Sequence, residues 1–139
     1  MFANLFLRKP SVETEEITAP LALAALMVRI AKSDDDYATA ECERIDAVLS
    51  VLYSLSTAQA SALRLRAEAL EADAPDTVRF TRAIKQEVPY EERFDVVRAL
   101  WQVVLADGAR DDEEDALMRL LASLLGVSDR DSAIARQQA

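Results

Sequence analysis

Three observations predict an all-α fold. The 139 residues hold only two glycines and four prolines, so tight turns are few. No stretch alternates apolar and polar residues with the period of two that a half-buried strand requires. Apolar residues recur instead at three- and four-residue spacing, in successive segments that begin at capping residues. With 51% of its residues apolar, the chain has enough for one buried core. The expected organisation is a single helical domain over 1–139, with about seven helices, a core over about 20–132 and an N-terminal arm over 1–16.

The first helix is predicted from Pro20, a favoured first-turn residue, to Lys32, burying Leu23, Leu26, Met27 and Ile30. Ser33-Asp34-Asp35-Asp36 breaks it. A second helix, from about Ala38 to Ser54, carries Ile45, Val48, Leu49, Leu52 and Leu55 as a core-facing stripe. Ser56 or Thr57 caps a third, which runs to Asp73 before Ala74-Pro75, and Asp76 caps a fourth that stops short of Pro89. Pro89 is expected to start the fifth, with Phe94, Val97, Trp101, Val104 and Leu105 on one face and Asp107-Gly108 at its end. The sixth, from Asp112 to Leu125, is expected to turn Leu117, Leu120, Leu121, Leu124 and Leu125 inward. Gly126 suits a left-handed C-terminal cap, with Val127 as its apolar closure. Ser128-Asp-Arg-Asp131 has the spacing of a capping box for a last short helix, frayed from Arg136 onward.

An internal correspondence at an offset of 73 residues pairs Asp34 with Asp107, Glu41 with Glu114, Val48 with Leu121 and Leu52 with Leu125. In each copy an apolar helix ends at an Asp-rich turn that leads into a second apolar helix. Two copies at so long a period suggest duplicated, pseudo-symmetric helix-turn-helix halves rather than a solenoid. The charge follows the repeat. Residues 34–46 and 107–115 each carry a net charge of −5, within a chain whose total is −9. The remainder is nearly neutral, and the acidity lies in two turns.

Such a balance makes nucleic acid and anionic membrane poor partners. The sequence has no histidine, which removes the usual general base and most zinc or non-haem iron ligand sets. Cys42, the single cysteine, has no second thiol with which to pair, and is read as structural in a reducing, cytoplasmic setting. No apolar run is long and uninterrupted enough for a transmembrane segment, and no nucleophile elbow or phosphate loop is present. These absences predict that the chain is not an enzyme.

Crowded carboxylates repel one another, and a divalent cation relieves that repulsion. The ligand spacing of an EF-hand is absent, so the site expected is looser, with oxygen ligands suited to calcium, magnesium or manganese. Helix-end energetics offers an alternative, because acids in a first turn complement the helix dipole and cap free N–H groups. Asp111-Asp-Glu-Glu114 fits that role by spacing. Glu41 fits it less well, because Ala38, three residues before it, has no side-chain acceptor. Two further segments have both a bland and a functional reading. Arg79, Arg82 and Lys85 form either a solvated face or an anion site, and Phe2, Leu5, Phe6 and Leu7 form an apolar knob that either packs on the domain or marks a contact.

Ala106-Asp-Gly-Ala-Arg-Asp-Asp-Glu-Glu114, with Leu117, Met118, Leu121 and Leu124-Leu-Gly-Val-Ser128 after it and Leu100-Trp-Gln-Val-Val-Leu-Ala106 before it, resembles the TerB-like family. This is the tellurite-resistance TerB-type helical domain, found also at the N-terminus of membrane-anchored DnaJ-type co-chaperones. The likeness spans roughly Leu21 to Ser132 and is most specific in the second copy. Asp35 stands where the family has Gly, and Arg110 where it has an aliphatic residue. The resemblance implies about seven helices in pseudo-symmetric halves and a divalent metal at the acidic turns, with Asp107 and Glu114 in one site and Asp34 and Glu41 in the other. It also implies a role in stress-related protein interaction. The alternative is a metal-independent scaffold or co-chaperone-like interaction domain, forming a homodimer through an exposed apolar helix face, with its protein partner unspecified.

Overall fold

A computed structural model describes residues 17–33, 37–74, 76–106 and 112–139. Seven α-helices lie among them: α1 (Ala19–Lys32), α2 (Thr39–Tyr53), α3 (Thr57–Asp73), α4 (Thr77–Glu87), α5 (Arg93–Val104), α6 (Asp112–Leu124) and α7 (Asp129–Gln138). A 3-10 turn, Tyr90–Glu92, precedes α5. No strand occurs among the described residues, as the sequence predicts.

α1 is apolar on every side, and an unbroken run from Leu21 to Val28 is buried. A helix with no polar face must be surrounded, and α2, α3, α4 and α5 all pack on it. Its start is secured twice. Thr18 Oγ1 accepts from Leu21 N at 3.3 Å, and Glu87, at the end of α4, accepts from Ala19 N at 2.9 Å. Arg29, the exception to the apolar run, is fully engaged. Its Nε donates to Glu71 at 3.1 Å, Nη1 to Thr77 Oγ1 at 2.9 Å and Nη2 to the Ala74 carbonyl at 2.8 Å, with the guanidinium 5.3 Å from the centre of the Phe80 ring. One side chain thus ties α1 to the connection between α3 and α4.

The repeat is visible in the element boundaries. At the offset of 73, α1 falls on 92–105 and α5 spans Arg93–Val104, while Thr39, the first residue of α2, falls on Asp112, the first of α6. The leading helices of the two copies, α1 and α5, pack against each other. α5 also carries α7, where Trp101 Nε1 donates to the buried Ser132 Oγ at 3.1 Å and Arg136 lies 5.2 Å over the indole. That contact holds the end of α7, so the helix continues to Gln138 where fraying was expected from Arg136.

The predicted caps are present. Ser56 and Gln59 form a reciprocal capping box, Asp76 accepts from Val78 N, and Ser128 accepts from Asp131 N. Gly126 adopts φ 79°, with Gly126 N bonded to the Ser123 carbonyl and Val127 N to the Ala122 carbonyl, which is a Schellman ending. Other expectations need correction. Pro89 stands in extended conformation before the 3-10 turn, and α5 begins at Arg93, whose guanidinium donates to the Val88 and Leu125 carbonyls and fixes that tighter entry. Leu120 is 48% exposed, because the buried stripe runs through Met118, Leu121 and Ala122 of α6 to Leu125 just after it; Leu120 lies about 150° around the helix from that stripe's centre, and Leu117 only borders it. Leu52 and Leu55 are half-buried at the edge of the core rather than inside it.

Candidate functional site at the acidic turns

α2 starts at Thr39, and Ala38, in extended conformation before it, has no side-chain acceptor. Glu41, at the third helical position, supplies what Ala38 lacks in part: its Oε1 accepts from Ala38 N at 2.9 Å. The weaker capping case made for Glu41 from sequence is therefore corrected, because half of a capping box forms without a capping side chain. This leaves Oε2 of Glu41 for a second partner. Beyond Glu41 the surface of α2 holds Glu43 and Arg44, both exposed.

Asp46, a later acid of the first window, is already neutralised. Arg64 on α3 donates to it through Nε at 2.7 Å and Nη2 at 3.3 Å, and through Nη1 to Glu68 at 2.8 Å. Tyr37 O–H donates to the same Glu68 oxygen at 2.6 Å. Burial, the Glu68 carboxylate and Cys42 hold the Tyr37 phenol well above its ordinary range. The hydrogen bond to Asp46 likewise holds the Arg64 guanidinium further into its charged form. Sequence reasoning missed this network. Its i,i+4 pair, Arg64 with Glu68, was legible; the tie from Arg64 to Asp46 on another helix was not.

An open depression of about 350 Å³ is lined by Ala40, Glu41, Glu43, Arg44, Ala47 and Ala106. Ala106 follows α5 and immediately precedes Asp107 in the sequence. The start of α2 in the first copy therefore lies against the entry to the acidic turn of the second. Glu114 occupies the third position of α6, as Glu41 does in α2, and is 5% exposed. Asp34 and Asp107, the other two expected ligands, lie outside the described residues. Among the described residues no group of three or more His, Cys, Asp or Glu side chains is placed to hold a metal ion. The donors that are placed, carboxylate oxygens without thiol or imidazole, have the hardness that calcium, magnesium or manganese requires.

Taken together, helices without strands among the described residues, a buried central helix, two copies of a helix pair and acidic sequence at the entries to α2 and α6 define a class of duplicated acidic helical modules. The particular family is given by the match of residues 20–137 to the model described as tellurite resistance protein TerB, and the chain belongs to that family. No curated protein and no solved structure matches it. No helix among the described residues is long and apolar enough to cross a membrane.

Proposed function

We propose that this TerB-family chain is a non-enzymatic, cytoplasmic interaction module that responds to a divalent cation at its acidic turns, with Asp34, Glu41, Asp107 and Glu114 as ligands, and acts in a stress-related protein assembly. The observation that supports the reading is the depression in which Glu41 and Glu43 face Ala106, the residue before Asp107. Acids of the first copy thereby lie beside the residue that leads, in sequence, into the acids of the second. A cation that neutralises them stabilises the folded state and changes the charge that a partner meets there.

Thermal unfolding of chelator-stripped protein tests this. At a cation concentration about one hundred times the dissociation constant, binding stabilises by about 2.7 kcal/mol, a rise of several degrees in Tm for a domain of this size. Calcium, magnesium and manganese are each compared with sodium at equal ionic strength. The double variant Asp34→Asn/Asp107→Asn is expected to lose the rise; a wild-type Tm unmoved by all three cations contradicts the proposal.

A second reading, a metal-independent scaffold, is favoured by the cap that Glu41 provides and by the pairing of Asp46 with Arg64, since both give acids of the first window structural work. Stability unaltered by chelator would support it.

A further inference from the structure

Away from the acidic turns, a second open groove of about 400 Å³ runs between the start of α1, the end of α2 and the flank of α3. Its walls include Thr18, Pro20, Tyr53, Leu55, Leu63 and Arg66. Tyr53, Leu55 and Leu63 pack on the core yet keep part of their surface outside it, so the groove is an apolar face that the described residues leave partly uncovered. Burial is worth about 25 cal/mol for each Å² of apolar surface removed from water. The groove therefore favours an apolar occupant.

The structure points to one: we propose that the groove is the intramolecular docking site for the chain's own segment Phe2 to Leu7. This inference is independent of cation binding. Three observations carry it. The segment holds Phe2, Leu5, Phe6 and Leu7, whereas the stretch from Arg8 to Glu16 that joins it to the domain is mostly polar. Its attachment point is the groove itself, because Ile17 packs on the core and the next residue, Thr18, forms part of the wall. Ten intervening residues reach roughly 33 Å when extended, several times the distance needed to fold back into a site at the tether. Such a tether holds the segment at an effective concentration of order millimolar, ahead of any untethered apolar partner at cellular concentration.

Disulfide trapping in the full chain tests the proposal, with Cys42→Ser as background. Leu5→Cys is combined with Ala62→Cys, an exposed position beside the groove, or with Ala72→Cys, exposed near the far end of α3. The expected result is a cross-link within one chain that forms at least about tenfold faster for the Ala62 pair. Equal rates would overturn the docking site, and a cross-link between two chains would assign the groove to a second copy instead. As a variant that leaves the domain untouched, Phe6→Asp is expected to shift the amide resonances of Tyr53, Leu55 and Leu63. Shifts confined to residues 1–16 would contradict the proposal.

Discussion

The carboxylate of Glu41 accepts the Ala38 N–H at 2.9 Å and borders the depression beside Ala106, so two roles can be separated at one residue. Glu41→Gln keeps an oxygen for the cap and removes the charge; Glu41→Ala removes both. In cation-free buffer, Glu41→Ala is expected to lower stability by about 1 kcal/mol in urea unfolding, with Glu41→Gln close to wild type, while both weaken cation binding. Equal stability losses would show that the charge, and not the cap, serves the fold. Tyr53 gives a pH test. Burial first, and the Glu87 carboxylate second, push its phenol up to about 12. The folded state therefore holds this proton more tightly than the unfolded chain, whose tyrosines titrate near 10. The resulting stability is complete below pH 10 and is lost as the pH rises through 12. Tyr53→Phe is expected to flatten that alkaline loss, measured by unfolding at pH 9, 10 and 11; an unchanged slope would contradict the assignment. Individual caps at Ser56, Asp76 and Ser128 were legible in the sequence because each is a contact between residues two or three apart. The pairing of Asp46 with Arg64 was not, because it depends on how α2 lies against α3.

At the scale of the element, the helix ends show how local chemistry sets the boundaries. Gly126 ends α6 in a left-handed conformation at no steric cost, whereas Ser54 ends α2 at φ 57° with a side chain that disfavours it. Ser50 Oγ compensates by donating to the Leu55 carbonyl at 2.6 Å. Ser54→Gly is expected to stabilise the protein by about 0.5 to 1 kcal/mol, read as a rise in urea midpoint at constant slope. A loss would show that Ser54 makes a compensating contact of its own. Arg29 is the opposite case, a charged residue on the most buried helix that binds Glu71, Thr77 and the Ala74 carbonyl. Arg29→Met takes the guanidinium from all three acceptors, leaving Glu71 to Lys32 alone, and is expected to cost about 3 kcal/mol by chemical denaturation; a change below about 1 kcal/mol would mean that water replaces the guanidinium. α1 was legible as a helix, but the all-round burial that sets Arg29 in this role follows from four neighbouring helices. The outward turn of Leu120 was hidden for a related reason. Four leucines in α6, with Leu125 directly after it, allow more than one stripe, and packing selects the one through Met118 and Ala122.

Across the whole molecule, the duplication organises both fold and charge. The sequence offset of 73 reproduces the starts of α1 and α5 to within a residue and aligns those of α2 and α6, so the two halves were legible before any coordinates. Their mutual placement was not. The packing of α1 on α5 brings the entry of α2 against Ala106, a long-range relation that no local pattern encodes. The central claim, that the acidic turns serve a cation and not only the helix ends, is tested most directly by calorimetric titration of chelator-stripped protein with calcium, magnesium and manganese, alongside Asp34→Asn/Asp107→Asn. Saturable heat with at least one cation, abolished in the double variant, is the predicted result. Heats no larger than dilution for all three, or identical binding by the double variant, would contradict it.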